Sequence, residues 1–357
     1  MMQRRQVLRW GWGLLAAAAA GNLLAKEAHS TFVSKSDKLI WRERSLIGFG
    51  TTLWIKAAHD NADQLEQALA AAVQVIRSIE RQMSLFDPES DVSRLNRLGS
   101  LKKPEADLLS VLKIAEHIAR QSQGAFDASM QPLWDIWSKA ALQKSQPSSL
   151  EIQRARRLVN WRAVHVTPDA VSLQITSMGL SLNGIAQGYA ADRVRATLQA
   201  HGIQHAMIDA GETALLGNAP NDKPWSLSIE SAATLKNSDA KNTLQAAVNQ
   251  QGASAPIIIS DGRAMATSSD AHTTFSHDHR YHHILNPHTG YSPSQWSSVT
   301  VLASSCVVAD ALTKVFFMTP KDKVIARARQ WGVDVVMQDK AGQWLASSGA
   351  PLQGSLA

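Results

Sequence analysis

Cysteine is all but absent from this 357-residue chain: Cys306 stands alone. A disulfide within the chain and a zinc site built from cysteines are both excluded. Cys306 lies in an apolar stretch, where a thiol suits a small core residue better than a nucleophile. Charge of one sign is also scarce. Lys and Arg number 36 against 30 Asp and Glu, a formal +6, and half of that surplus is Arg4, Arg5 and Arg9 at the start of the chain. The remainder is nearly balanced and has no run of Lys and Arg interleaved with aromatics, so it shows no electrostatic footprint for nucleic acid. Repeats of fixed period are lacking, and no apolar run reaches the ~20 residues of a bilayer-spanning helix. What is present, 45% hydrophobic and 18% charged residues, is ordinary for a soluble globular protein. The length suits one large domain or two fused lobes.

The longest apolar run, Trp10 to Ala20, sits in the stretch MMQRRQVLRWGWGLLAAAAAGNLLA, which starts basic and is interrupted at Gly21-Asn22. This is signal-peptide grammar, assigned to residues 1–28 with cleavage near Ala25 or Ala28. Arg4-Arg5-Gln6-Val7-Leu8-Arg9 resembles a twin-arginine export signal, a route that carries folded proteins. An ordinary secretory signal with two adjacent arginines is the other reading. Lipid anchoring would need a cysteine near the cleavage point, and there is none. The expectation is a periplasmic protein with no membrane span after signal removal.

Helical periodicity predicts an amphipathic helix over Asn61–Gln82, with Leu65, Leu69, Ala72, Ile76, Ile79 and Met83 on one face. Leu108, Leu112, Ala115 and Ala119 mark a second helix, and Gly188–His201 a third that Gly202 stops. Ala309–Met318 and Lys321–Trp331 follow, separated at Pro320. Strands are expected at Val164–Val166, Val171–Ile175, His205–Asp209, Trp225–Glu230, Ala255–Ser260, Tyr281–Leu285 and Ser297–Leu302. Lys144–Ser149 and Ser231–Asn242 read as loops, and Ser347–Ala357 as a frayed tail. Strands and helices mix without a βαβ rhythm, which predicts an α+β fold with a largely antiparallel sheet core packed with helices.

Four segments concentrate Gly, Asp, His and small polar residues beside apolar runs. In Met83–Asn96, Phe86 at a loop edge either covers a flat heterocycle or staples the end of a helix. In Gly124–Trp134, Asp127 either accepts hydrogen bonds from a ligand or caps the following helix. In Ser181–Arg193 a glycine turn enters a helix whose N-terminal N–H groups suit phosphate, although the spacing is neither Walker A nor GxGxxG and a bare turn explains it equally. The fourth, Ala264–Met318, crowds histidines at 272, 277, 279, 282, 283 and 288, without the HExxH spacing of a helical zinc site. His282 and His283 would point to opposite faces of a strand. Asp310 opens an otherwise apolar helix, as a dipole partner or a hard-cation ligand.

Taken in order, MSLFDPESDVSRLN, GAFDASMQPLW, LNGIAQGYAADR, ATSS, HHILNPHTG and ADALTK resemble the ApbE family of FAD:protein FMN transferases, from about Gly48 to Met318. The resemblance implies a T-fold-like flavin transferase domain, placed at 40–346, with a tail at 347–357. It implies FAD as substrate, Mg²⁺ at the pyrophosphate, and transfer of FMN onto a Thr or Ser of an exported or membrane flavoprotein, with release of AMP. By position, Phe49 and Phe86 fall at the flavin end. Ala125, Phe126 and Asp127 line the nucleotide site, with Asp127 reading the adenine. Ser181, Gln187 and Leu285 are further FAD contacts. Gly184 supplies a backbone oxygen to the metal, Asp310 is its main ligand with Thr313, and His283 is the general base. A hard dication, a carboxylate and carbonyl oxygens suit phosphoryl transfer, which needs charge neutralisation and alignment.

Three positions depart from the commonest family pattern: Ser181 for Asp, Gln187 for Lys or Glu, and Lys314 for a metal-ligand Thr. Either Thr313 ligates while Lys314 turns to a phosphate oxygen, or the metal is weakly held. The stretches LNGIAQG and Asp209-Ala210-Gly211-Glu212 resemble a NosX-like branch associated with nitrous oxide reductase maturation, which implies an acceptor in that pathway. A Mg²⁺-dependent FAD pyrophosphatase, a non-catalytic flavin-binding maturation factor and a periplasmic solute-binding protein are the competing readings.

Overall fold

The computed structural model describes residues 30–33, 39–220, 222–229, 255–271, 273–276 and 278–354. The expected signal segment and the loop at Ser231–Asn242 lie outside the described residues. Among the described residues, no helix is long and apolar enough to cross a membrane.

The core is a nine-stranded sheet. Its strands are β1 (Ser30–Val33), β2 (Ile40–Gly48), β3 (Thr51–His59), β7 (His205–Asp209), β8 (Thr213–Leu216), β11 (Ala264–Ser269), β12 (Trp296–Ala303), β13 (Asp334–Asp339) and β14 (Trp344–Ala346), in that spatial order. Every pairing in it is antiparallel. Strands β4 (Ser100–Lys102), β5 (Val164–Val166) and β6 (Ala170–Leu173) form a small second sheet, and β9 (Ser226–Ser228) pairs with β10 (Ile257–Ile259). The α+β expectation with a largely antiparallel sheet holds.

Helices α1 (Ala62–Met83), α6 (Ala186–Ala200) and α7 (Cys306–Phe317) pack together and against the sheet. The periodic face read for α1 is the buried one: Leu65, Leu69, Ala72, Ile76, Ile79 and Met83 join the main core. Asn61 caps it by accepting from the Gln64 N–H at 3.0 Å. Helix α3 (Ala106–Gln121) and helix α8 (Val324–Trp331) were also legible, the latter preceded by a 3₁₀ turn at Lys321–Lys323. Helices α2 (Asp91–Leu98) and α5 (Ser149–Arg156) were not anticipated, and α4 (Gln131–Leu142) only as the helix that Asp127 would cap. They are short, and α4 and α5 bury their apolar residues in a separate cluster with Phe275 and Leu285.

Three expectations need correction. Tyr281–Leu285 is not a strand; it forms one side of a short turn-rich hairpin in which His283 N–H donates to Thr273 O at 3.0 Å and Phe275 N–H to Tyr281 O at 2.7 Å. The tail is tied down where it is described: Ile259 N–H donates to Pro351 O at 2.8 Å and Gln353 N–H to Ile257 O at 2.8 Å. Asp310 does not open its helix, because α7 starts a full turn earlier at Cys306.

Helices α6 and α7 cap each other. Neither N-cap residue, Ile185 or Ser305, makes a side-chain cap bond. Instead, Asp192 of α6 accepts from the Cys306 and Val307 N–H groups of α7, each at 2.9 Å. Asp310 of α7 accepts through Oδ2 from the Gly188 N–H of α6 at 3.1 Å. Each carboxylate satisfies donors that the other helix leaves unpaired, at the end where the dipole favours negative charge. Gly188 permits this approach, since a methyl there would overlap the Cys306 carbonyl oxygen. That oxygen is backbone and cannot swing aside, so Gly188→Ala is expected to destabilise the protein by about 2 kcal/mol or more. Urea unfolding followed by circular dichroism checks this; a midpoint equal to wild type removes the close approach as a constraint.

Candidate active site

Two glycine-bearing turns and α7 meet at the N-terminal end of α6. The turn before α6 is closed by Ile185 and Ala186 N–H groups donating to Leu182 O at 3.0 and 2.8 Å. Its tip, Gly184, has no side chain, and a Cβ there would stand 3.0 Å from Cε of Lys314. Gln187 lies against Gly211, whose φ of +98° suits glycine and where an added Cβ would overlap the Gln187 amide. Gly184, Gln187 and Asp310 therefore lie together around the start of α6.

Asp310 is fully buried and both its carboxylate oxygens carry a donor. Oδ2 takes the Gly188 N–H, and Oδ1 takes the Lys314 ammonium at 2.5 Å. Lys314 also reaches the Asp310 carbonyl oxygen at 3.2 Å. Thr313 is buried and donates its hydroxyl to the same carbonyl at 2.7 Å, so the 2.7 Å contact between its Oγ1 and Ser268 Oγ must have Ser268 donating. Among the described residues no group of three His, Cys, Asp or Glu converges. As a donor set for magnesium these residues do not fit: the one carboxylate is shared between a backbone amide and an ammonium, and the hydroxyl is already engaged.

Glu212 is the residue that sequence reasoning missed as part of the site. It lies in the turn between β7 and β8, is buried, and accepts from the Thr267 N–H at 2.9 Å. Burial, and then the nearby Asp310 charge, push its carboxyl well above the usual range, with Lys314 opposing. The available signal was an acid beside a glycine turn joining two apolar strands.

The other segments tie into this centre. Asn96, at the end of the first segment, brackets Leu180, donating to its carbonyl at 2.8 Å and accepting from its N–H at 2.7 Å. Ser181 N–H donates to Ala128 O at 2.7 Å, which joins the second segment to the third. Asp127 is buried and caps no helix. One oxygen accepts from Ser129 N–H and Oγ at 2.8 and 2.7 Å, the other from Trp161 N–H at 3.1 Å. Ala125 and Phe126 are buried beside it. His288 approaches Gly124, and Trp137 of α4 donates to Gly290 O at 2.8 Å, pinning the HHILNPHTG segment. Leu285 is buried in that small cluster.

Phe49 and Phe86 meet at one edge. Phe49-Gly50 form the two-residue turn of the β2–β3 hairpin, with φ of 51° and 75°. Phe49 N–H is held by Glu80 Oε1 at 2.9 Å. Phe86 is no staple: its side chain is 66% exposed, with its ring against Gly50. His283 Nδ1 lies 3.1 Å from Thr273 O, which as a carbonyl can only accept, so Nδ1–H donates to it. His282, by contrast, is fully buried; burial lowers it to about 4 and Nε2 faces Pro293 O at 3.1 Å, which leaves it neutral and structural.

The ApbE family profile matches residues 49–337. This chain belongs to the ApbE family. The FAD:protein FMN transferase of Haemophilus influenzae is 26% identical over 337 residues, covering 89% of this chain and 89% of that protein. Its counterpart in Vibrio cholerae is 28% identical, covering 81% and 84%. Among solved structures, the ApbE protein of Thermotoga maritima superposes with a TM-score of 0.73 at 24% identity, covering 86% of this chain and 97% of that one. The Pseudomonas stutzeri flavinyl transferase ApbE gives 0.69 at 23%, covering 92% and 97%. These superpositions establish the ApbE architecture.

Glu212 gives a pH-dependent prediction. Because its folded carboxyl binds a proton more readily than the unfolded one, it lowers stability as pH rises from its ordinary value of 4.5 toward the raised one. Glu212→Gln keeps an oxygen for Thr267 N–H and abolishes that loss. Its melting temperature is expected to gain on wild type progressively as pH rises above 4.5; parallel melting curves on raising the pH would refute a buried, proton-retaining Glu212.

Proposed function

We propose that this ApbE-family protein is an exported, periplasmic FAD:protein FMN transferase that modifies a Thr or Ser hydroxyl of another flavoprotein. The observation that carries the reading is the convergence of the Gly184 turn, Gln187, Asp310 and Lys314 on the N-terminal end of α6, where the helix dipole favours an anionic diphosphate. The names of the relatives at Haemophilus influenzae and Vibrio cholerae supply the chemistry. The basic, then apolar start of the chain supports export.

In this reading FAD lies with its diphosphate at the Gly184 turn. Its isoalloxazine sits at Phe49 and Phe86, and its adenosine end at Ala125, Phe126 and Asp127, with Ser181, Gln187 and Leu285 along the way. The acceptor hydroxyl attacks the phosphorus on the riboflavin side. The bond from that phosphorus to the bridging oxygen breaks, AMP leaves, and a phosphoester holds FMN on the acceptor. His283 Nε2 takes the hydroxyl proton, its orientation fixed by Nδ1–H donating to Thr273 O. Asp310 holds Lys314 and α6 in place. Magnesium, expected at Gly184, Asp310 and Thr313, is the part of the expectation that these residues support least, and no step here depends on it.

Co-expression with a candidate acceptor tests the function, read as ultraviolet flavin fluorescence on a denaturing gel and a mass increase equal to FMN. His283→Ala is expected to lower transfer by about 10²–10⁴-fold while FAD binding is retained. An unchanged rate removes His283 from the chemistry. Incubation with FAD and no acceptor should release AMP slowly; rapid release would make the protein a pyrophosphatase. One observation favours a second reading: the ammonium seated on Asp310 suits a flavin-binding maturation factor without turnover. Tight FAD binding with no FMN on any true acceptor would establish that reading instead.

A further inference from the structure

We propose that Lys314 is the resident cation of this site, so that the FAD diphosphate is held by a side-chain ammonium where a divalent ion is expected. The inference rests on the reading of the site as a FAD site, but it concerns what neutralises the diphosphate rather than which reaction follows.

Lys314 lies one helical turn after Asp310 on α7, and its ammonium sits 2.5 Å from Oδ1 of that carboxylate. The side chain is mostly buried, at 20% exposure, and Asp310 is buried to 1%. The aliphatic stem packs under Gly184, where a Cβ would stand 3.0 Å from Cε and 3.7 Å from Nζ. The glycine at the tip of the turn, with no positive φ to explain it, is thus accounted for by the room it leaves for lysine. An ammonium has three N–H donors. Two go to the side-chain and main-chain oxygens of Asp310, and among the described residues the third has no partner.

A dication would meet three obstacles here. The ammonium already occupies the accessible oxygen of Asp310 and repels a second cation at that distance. The other oxygen is spent on Gly188 N–H, and cannot leave it without uncapping α6. Glu212, the neighbouring acid, has its Oε2 engaged by the Thr267 N–H. The diphosphate is therefore bound by the third ammonium N–H, at the end of α6 where the helix dipole favours an anion.

The test measures FAD binding to wild-type protein by flavin fluorescence after exhaustive EDTA dialysis, with and without millimolar MgCl₂, beside Lys314→Thr. Wild type is expected to bind FAD with the same dissociation constant, within about twofold, in both buffers, and to take up no Mn²⁺ in calorimetry at up to about millimolar ion. Lys314→Thr should bind FAD at least about tenfold more weakly in EDTA, the value of one charge-assisted hydrogen bond, and recover when magnesium is added. Wild type that binds FAD only with magnesium, or that binds Mn²⁺ stoichiometrically, overturns the proposal whether or not the variant folds. Wild type that binds FAD in neither buffer overturns the flavin reading and this proposal with it. Metal-independent FAD binding without FMN transfer upholds Lys314 as the cation and overturns the transferase reading alone.

Discussion

The exchange of carboxylates between α6 and α7 is the constraint on which the site depends. Each helix begins without a cap of its own, and each borrows an acid from the interior of the other: Asp192 for the Cys306 and Val307 amides, Asp310 for the Gly188 amide. Such bonds can form only if the helices approach closely, and Gly188 over the Cys306 carbonyl allows it. Because α7 also packs on β11 and β12 in the centre of the sheet, the position of the α6 N-terminus is fixed to the core. A helix end that binds phosphate must be rigid if its dipole is to be aimed before the ligand arrives.

The same bond constrains the chemistry. An Asp310 engaged in holding α6 has one oxygen left, and Lys314 takes it. The charge balance around the Gly184 turn is then set by a fixed ammonium and by Glu212, whose burial favours the neutral acid. Nearby hydroxyls are similarly committed, Thr313 to the Asp310 carbonyl and Ser268 to Thr313. Polar groups buried this deeply are costly when unpaired, and here they are satisfied within the protein.

The parts of the fold that were legible in the sequence are those whose pattern repeats within one element. The apolar face of α1 returns every three or four residues and is buried as read, and Gly202 ends α6 with a φ of +80°. β12 and β7 are apolar runs of strand length. Elements that were misread have no such local signature. The β2–β3 hairpin was not anticipated at all; at its turn, Phe49-Gly50, a bulky residue takes positive φ. Tyr281–Leu285 alternates in burial like a strand, yet its backbone is spent on Thr273 and Ser292 rather than on a sheet neighbour.

By itself the sequence determined the family and the order of the six motifs, because side-chain type and spacing along the chain carry that information. It also exposed Lys314 as a departure. Only the tertiary structure decided what the departure does. Whether the ammonium faces a phosphate, a metal or an acid depends on where α7 lies relative to the Gly184 turn, and residues 184, 212 and 310 are brought together by sheet pairing and helix packing. The same holds for Asp127, whose oxygens are committed to Ser129 and Trp161, and for Glu212, whose raised carboxyl is a consequence of burial that no local pattern records.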